Sequence, residues 1–243
     1  MNGATLSNKS RVMADQYDIS QFLTKMTPQR MRDMADCSTL ASDSHEYTPV
    51  LRGGSFILEG LYRSNAIVGT SLHDIFAALP DQQIIVTGYP ETRVVGKPAM
   101  MMYADALKYD LDCVVSDLVK ARIECTSQKW ATEIGVSLHD LTAETGTGNG
   151  TSTDNGVATT NGGVGVLHCT AIAGTAPSVV VRIEHSTNNS TWATLLTFTA
   201  AATATKQRIE VAANTTVNRW LREVHTFGGT TSSITFNSAF ARR

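Results

Sequence analysis

The second half of the chain alternates short apolar segments with clusters of turn-forming residues, and no other feature restricts the fold as strongly. Val179, Val181 and Ile183 share one face of one such segment. Arg182 and Glu184 lie on the opposite face, which is the period of a half-buried strand. Residues that favour β-turns fill the intervals at 174–177, 186–190 and 228–232. The spacing predicts a β-sandwich of six strands, at 164–171, 179–185, 193–199, 207–211, 220–227 and 234–240.

The first half of the chain predicts further strands and one short helix. Thr70-Ser71 can cap a helix over 71–79, which ends at Pro80 and whose apolar face is formed by Leu72, Ile75, Phe76 and Leu79. Two other segments are open to more than one interpretation. Residues 29–36 could form a second short helix, and 11–22 could be a strand or an extended arm. Strand patterns occupy 55–62, 84–87 and 114–125.

The composition changes sharply at residues 142–165, which are almost entirely Gly, Thr, Ser, Asn and Ala. Of the 22 acidic residues, 17 precede this segment. We therefore predict a β domain over 1–141, a linker or loop over 142–165 and a C-terminal β-sandwich over 166–243. The predicted fold class is all-β: a β-sandwich or barrel with one flanking short α-helix, followed by a second β-sandwich.

The charge balance argues against a protein that grips DNA. The chain has 20 Lys plus Arg and 22 Asp plus Glu, so its net charge of −2 offers no basic surface to a phosphate backbone. No apolar run reaches the roughly 18 residues of a transmembrane helix, so we expect a soluble product without a membrane-spanning segment. The four cysteines, at 37, 113, 125 and 169, lack metal-site spacing and are predicted to be reduced and mostly buried.

Motifs for catalysis and cofactor binding are absent from the sequence. His73 beside Asp74 could be half of a catalytic dyad, but a solvated helix face is the favoured interpretation. His168, His185 and His225 fall in predicted strands and could meet at a metal site, although ordinary strand histidines are favoured. We therefore predict a protein that is not an enzyme, with no catalytic, cofactor-binding or metal-binding residues.

Two tryptophans, Trp192 and Trp220, admit two interpretations. Exposed on a sandwich, they could stack against sugar rings and make a carbohydrate-binding surface. Buried, they would fill the core, and this is the favoured interpretation.

Residues 36–75 combine a Ser/Thr-rich stretch, the step Glu46-Tyr47, the glycines Gly53 and Gly54, a strand ending in Glu-Gly and then a helix. This succession resembles a segment of the major tail proteins of long-tailed bacteriophages of the siphophage type. Residues 3–19 are similar to the N-terminal arm of that family, and 117–124 to its late strand. Residues 184–192 and 236–243 resemble β-sandwich modules of phage structural proteins.

The resemblance implies a virion protein of the phage tail, made in the host cytoplasm. Six copies would close a ring by strand addition, and stacked rings would form the tail tube that conducts DNA into the host at ejection. The implied partners are other copies of the chain, other tail proteins, and DNA in sequence-independent transit. The arm from Met1 to Arg11 and a loop at Gly53 and Gly54 are candidate inter-ring contacts. A capsid decoration protein, a tail-tip protein and a carbohydrate-binding adhesion module remain alternatives.

Overall fold

The computed structural model describes residues 7–63, 71–77, 83–104, 106–127 and 131–243. The predicted all-β class is confirmed, because strands in two antiparallel sheets make up most of the chain. Short 3₁₀ turns lie at Ser7–Lys9 and Ser20–Phe22, and one α-helix, α1, spans Leu72–Ala77. The strands are β1 Arg11–Ala14, β2 Tyr17–Asp18, β3 Leu23–Asp36, β4 Tyr47–Leu61, β5 Ile84–Tyr89, β6 Pro98–Ala104, β7 Ala106–Asp112, β8 Lys120–Ser127, β9 Glu133–Glu144, β10 Gly148–Asn149, β11 Thr153–Asp154, β12 Gly163–Ser186, β13 Ala193–Thr197, β14 Thr205–Val211 and β15 Trp220–Arg242.

The chain forms two compact units, each assembled from separated stretches of sequence. The first takes the chain up to Gln21, Ile85–Met101 and Ile134–Arg243. The second takes Phe22–Ile84 and Met102–Glu133. These boundaries differ from the domain boundaries predicted at residues 141 and 166. The predicted division into domains remains a prediction.

The first unit is built around a long antiparallel ribbon of β12 and β15. The two strands pair from Gly163 opposite Arg242 to Ser186 opposite Trp220. The ribbon folds back on itself, because a Cβ on Gly165 would lie 3.0 Å from Ile183 and 3.3 Å from Phe198. The apolar face enclosed in this way forms the core cluster: Leu138, Leu167, Cys169, Val179, Val181, Ile183, Leu196, Phe198, Val211, Val217, Leu221, Ile234, Phe236 and Phe240.

The six strands predicted for the second half are four in the structure. Residues 164–171 and 179–185 belong to the single strand β12, and 220–227 and 234–240 belong to β15. The predicted turns at 174–177 and 228–232 lie opposite each other in the ribbon, with Pro177 paired to Gly229. Register shifts there make β-bulges, so these residues bend both strands instead of reversing either one. The predicted turn at 186–190 is present, with Asn189 at a φ of 58°.

The segment 142–165 carries more structure than a free linker. Strand β10 pairs with β15 at His225 and Val224, and β11 pairs with β15 at Leu221 and Trp220. Between them the Gly150 N–H donates to the Glu223 carbonyl at 2.9 Å. The ends of the segment belong to β9 and β12, and the part between them is a loop held along the first half of β15.

The second unit contains a four-stranded sheet in the order β3-β4-β8-β7. Residues 29–36, for which a helix was one prediction, belong to β3 and pair with β4. Their Gln, Arg and Met side chains favour helices, but hydrogen bonding to β4 overrides this local preference. Residues 55–62 are confirmed as part of a strand, since β4 covers all but the last of them. Of the predicted pairing segment 114–125, only the part from Lys120 onward is a strand, β8.

Helix α1 confirms the predicted helix near 71–79, and its predicted end at Pro80 lies outside the described residues. The Ser71 hydroxyl accepts a hydrogen bond from the Asp74 N–H at 3.2 Å, as expected of a capping residue. Among the described residues, no helical segment has the length and apolarity of a transmembrane helix. Two of the four free cysteines, Cys125 and Cys169, are buried. Cys37 and Cys113 are exposed, so the prediction of mostly buried thiols holds for half of them.

Candidate functional site

The outer part of the β3–β4 hairpin is the most exposed structured region of the second unit. We call residues 29–52 the hairpin arm. Residues 29–41 and 43–50 are all exposed. Strand β8 pairs with β4 only from Gly54 onward, so along the arm the two strands have each other as paired neighbours. A hairpin of two strands is marginally stable in water unless something packs against it.

Large apolar side chains of the hairpin arm face water. The exposed fraction is 48% for Met31, 53% for Met34, 54% for Tyr47 and 46% for Val50. Surface apolar residues are ordinary when they are isolated, but a group on one projecting element marks an interaction surface. The arm therefore has the composition of an element that is buried in an assembly.

The loop at the end of the hairpin arm is held by its own polar groups. The Asp36 carboxylate accepts hydrogen bonds from the Ser38 hydroxyl at 2.5 Å and the Ser38 N–H at 2.9 Å. These bonds lower the pKa of Asp36 below its usual value. The Asp36 carboxylate also lies 2.9 Å from His45 Nδ1. The loop therefore has a defined conformation before any partner binds.

Three arginines on the hairpin arm, Arg30, Arg32 and Arg52, form no ion pair with any described residue. Arg32 lies directly opposite Arg52 in the β3–β4 register. Like charges in directly opposite positions destabilise a pair of strands. An acidic partner surface would offset this repulsion.

The other end of the same sheet carries exposed apolar and acidic residues together. Strand β7 ends the sheet, and the turn after it leads into β8. We call residues 111–118 the acidic turn, since Asp112 and Asp117 are both exposed there. Its exposed apolar side chains are Leu111 (43%), Val114 (55%), Val115 (92%) and Leu118 (65%). The acidic turn has only acidic charged groups, whereas the hairpin arm combines its three arginines with four acidic residues, Asp33, Asp36, Asp43 and Glu46.

The sequence predicted a loop at Gly53 and Gly54, but both residues lie in the middle of β4. Gly53 pairs with Met31, and Gly54 pairs with Arg30 and Ser127. A Cβ on Gly54 would lie 2.1 Å from the Thr132 hydroxyl oxygen and 2.7 Å from the Thr132 nitrogen. Gly54 therefore permits a close backbone approach at the base of the hairpin arm.

The predicted N-terminal contact is described only in part. Met1 lies outside the described residues. Arg11 begins β1 and pairs with Tyr89, while its guanidinium donates to the Asn8 and Ser10 carbonyls at 3.1 and 2.8 Å. Its role as an inter-ring contact stays a prediction.

The two tryptophans lie at the surface of the first unit, outside its buried core. Trp192 and Trp220 are both half-buried, so the favoured core interpretation is wrong. The Arg222 guanidinium lies 4.2 Å from the centre of the Trp192 ring, and Arg219 lies 5.2 Å from that of Trp220. Arg222 is also fixed by Glu184, at 2.7 and 2.9 Å. A guanidinium held over a ring by a carboxylate makes a cation–π contact and occupies a face that a sugar would need.

A buried cluster of two histidines and a glutamate lies in the first unit. His139, Glu223 and His225 offer ligand atoms that all lie within 4.8 Å of one another. They are 5%, 0% and 3% exposed. Strand β9 supplies His139, and β15 supplies the i,i+2 pair Glu223 and His225, whose side chains share one face.

The cluster has a fourth ionisable member at its rim. One carboxylate oxygen of Glu144 lies 3.3 Å from His139 Nε2, and the other lies 3.9 Å from His225 Nε2. The Glu144 side chain is 35% exposed. Burial opposes a charge on His225, but the Glu223 carboxylate outweighs it, so the pKa of His225 is raised.

The remaining strand histidines do not join this cluster. His168 Nδ1 donates to the Asp15 carbonyl at 2.5 Å, and His168 Nε2 lies 2.7 Å from the Thr87 hydroxyl. Complete burial lowers the pKa of His168 to about 4. His185 is half-buried and accepts a hydrogen bond from the Asn218 N–H at 3.2 Å.

His73 and Asp74 form separate contacts instead of a dyad. His73 Nδ1 lies 2.9 Å from the Tyr109 hydroxyl, while Asp74 accepts a hydrogen bond from Ser71 at 2.5 Å.

No protein-family model and no curated protein matches the chain. Among solved structures, it is similar to the Dit protein (gp 19.1) of SPP1, described as a paradigm of the hub adsorption apparatus in phages that infect Gram-positive bacteria. The TM-score is 0.38 at 10% identity, over 94% of this chain and 98% of that chain. Similarity at this level does not assign a family or a function.

Proposed function

We propose that the chain is a structural protein of a bacteriophage tail that assembles with copies of itself into rings. Stacked rings would form the tail tube through which DNA passes. The resemblance of residues 36–75 to major tail proteins supports the tail assignment. The exposed hairpin arm carries the assembly part of the proposal, because a monomer leaves its apolar side chains and arginines in water.

Ring closure requires two different surfaces that fit each other. Strands β3 and β7 lie at opposite ends of the four-stranded sheet, so each has an edge without a paired strand among the described residues. Adding the β3 edge of one copy to the β7 edge of the next would continue the sheet between copies. Such a head-to-tail contact closes into a ring when the rotation between copies is a whole fraction of a turn.

The hairpin arm and the acidic turn lie at opposite ends of the sheet along its strands, because Leu111 is level with Leu23 whereas the arm lies beyond Gly54. The hairpin arm extends from the β3 end and carries Arg30, Arg32 and Arg52, while the acidic turn follows β7. In stacked rings, the arm of a copy in one ring would therefore meet the acidic turn of a copy in the next ring and bury both apolar groups. This contact would also bring Asp112 toward arginines that form no ion pair with any described residue of the single chain.

Electron microscopy of the purified protein over a concentration series is the first test. We expect rings or hollow tubes. The double variant Met34→Ser/Val50→Ser should prevent the hollow tubes, since it removes apolar surface from the arm alone. Val94→Ser/Val157→Ser is the matched control, because these side chains are 48% and 71% exposed elsewhere in the chain. Monomers at every concentration, or equal assembly of both variants, would count against the proposal.

The exposed cysteines test which surfaces meet. Cys37 lies at the end of the hairpin arm and Cys113 in the acidic turn, while Cys125 and Cys169 are buried. A bismaleimide that joins Cys37 of a copy in one ring to Cys113 of a copy in the next ring should give a ladder of products that lengthens as more rings stack, each ring having the expected six copies. Cys37→Ser and Cys113→Ser should each abolish the ladder. A ladder that survives either variant would contradict the contact between the arm and the acidic turn.

A further inference from the structure

When the two histidine rings of the buried cluster are neutral, the nitrogen that lacks a proton is Nε2 in each ring, and both Nε2 atoms face Glu144. His139 Nδ1 lies 2.6 Å from the Asp140 carbonyl oxygen and 3.2 Å from that of Phe236. Since both neighbours only accept hydrogen bonds, Nδ1 carries the proton. In the neutral ring, His139 Nε2 is therefore an acceptor.

The same reasoning applies to His225. Its Nδ1 lies 3.0 and 3.3 Å from the two carboxylate oxygens of Glu223, so Nδ1 carries the donated proton. In the neutral ring its Nε2 is then an acceptor too, and it lies 3.9 Å from Glu144, while the Gly146 backbone also accepts a hydrogen bond from the ring when the ring is protonated. Two nitrogen lone pairs and a carboxylate converge, and a bound cation, like protons on the rings, would stabilise such a group.

We propose that His139, His225 and Glu144 bind a divalent transition-metal ion of the Zn²⁺ type, and that Glu223 orients His225. Imidazole nitrogen and carboxylate oxygen are ligands that Zn²⁺ accepts. Histidines that bind metals usually donate their second ring N–H to a carboxylate or a backbone carbonyl. Both histidines do so here, His225 to Glu223 and His139 to Asp140 and Phe236.

The charge and the space around the cluster fit this assignment. Glu223 is fully buried, and together with Glu144 it places two carboxyl groups beside the two rings, a set of ligands whose charge a divalent ion would balance. The backbone of 148–150 passes close above the cluster. A Cβ would lie 3.1 Å from His225 Nε2 at Gly148 and 3.3 Å from a Glu223 oxygen at Gly150, so glycine keeps this space open.

The ion would serve a structural purpose. The ligands come from both ends of the folded ribbon, because His225 lies in the first half of β15 while β9 pairs with its second half. Phe236 stacks on the His139 ring with centroids 3.9 Å apart, and the partly exposed Glu144 provides the entry side. Binding would therefore tie the two halves of the ribbon together.

The test uses the full chain, stripped with EDTA and then titrated with Zn²⁺ by calorimetry, and with Co²⁺ by visible absorption. We expect one ion per chain and a higher Tm with Zn²⁺. Glu223→Gln should weaken binding about 10–100-fold, the usual effect of losing an orienting group. Glu144→Gln should weaken it further, and because this side chain is at the rim the variant should keep its fold. His185→Gln, a strand histidine outside the cluster, is the control.

Three results would overturn the assignment. The first is a wild-type chain that takes up neither ion, in which case the two histidines hold protons instead. The second is Zn²⁺ uptake that Glu144→Gln leaves unchanged. The third is a loss of uptake in His185→Gln as large as that in Glu144→Gln. None of these outcomes bears on self-assembly, so the metal site and the proposed function fail separately.

Discussion

Two long antiparallel ribbons, β3–β4 and β12–β15, differ in how far they bury their own apolar side chains. Each has more backbone length than a neighbouring sheet covers, and each bends through register shifts. The β12–β15 ribbon folds back so that its own apolar face becomes a core. The hairpin arm leaves its apolar side chains exposed. A ribbon that covers itself is complete as a monomer, and one that does not is suited to a partner.

The largest expected effect tests whether the folded-back ribbon is a true core. Phe198 is 1% exposed and lies near Gly165, between the two halves of the ribbon. Phe198→Ala should lower the free energy of unfolding by about 3–5 kcal/mol, through lost burial and the cavity that remains. Met34→Ala on the hairpin arm should change it by less than about 0.5 kcal/mol in the monomer. Urea unfolding at low protein concentration measures both free energies. Equal losses would mean that the exposed arm contributes as much to the stability of the monomer as the buried ribbon does.

Acid should destabilise the self-covered ribbon through His168. Its folded pKa is about 4 against an ordinary value of 6.5, because burial disfavours the charged ring. As the pH falls, the unfolded chain therefore takes up the proton first. Stability should decline between about pH 6.5 and 4 and level off below, by about 3 kcal/mol in total.

His168→Gln should flatten this decline, since Gln can still bond to Thr87 and to the Asp15 carbonyl. His45→Gln, on the exposed hairpin arm, is the control and should leave the decline in place. Unfolding curves at several pH values decide the matter. An unchanged pH dependence in His168→Gln would assign the acid sensitivity to other groups.

The bend of the ribbon supplies the next test. Gly229 has a φ of 59°, and a Cβ there would lie 2.0 Å from the Ala176 carbonyl oxygen. Gly229→Ala should cost about 1–3 kcal/mol, the usual range for a side chain in a left-handed conformation. Gly53→Ala, in β4 next to the hairpin arm, meets nothing within 4 Å, so it should be neutral or stabilise the strand by roughly 0.5–1 kcal/mol. Thermal unfolding of both variants measures the difference.

Local sequence patterns predicted the strands of the ribbon but not its continuity. The alternation of Val179, Val181 and Ile183 depends only on neighbours in sequence, and the strand there is confirmed. Whether Gly174 and Pro177 reverse the chain depends on what lies opposite them. Because Thr231 and Gly229 occupy those positions, the glycines and the proline bend a paired ribbon. No local pattern contains that pairing.

The candidate sites show the same limit. The i,i+2 spacing of Glu223 and His225 was visible in a predicted strand, and it could have suggested a shared face. His139 joins them only because β9 pairs with the other half of β15, which the sequence does not indicate. The hairpin arm was missed for another reason: Met31 and Met34 match a short helix as well as an exposed strand, and the pairing with β4 decides between them.

The smallest expected effect is also the sharpest test of the hairpin arm. Arg52→Thr removes the like charge opposite Arg32 and should raise the stability of the monomer by about 0.2–1 kcal/mol at low salt. The gain should shrink at high salt, where exposed charges are screened. Arg30→Thr is the matched control, because Arg30 lies opposite Gly54 and faces no like charge. If the arginines are kept for an acidic partner surface, Arg52→Thr should be more stable alone and yet assemble less in sedimentation. Equal shifts in stability for both variants, with assembly unchanged, would mean that the opposed arginines serve no contact between copies.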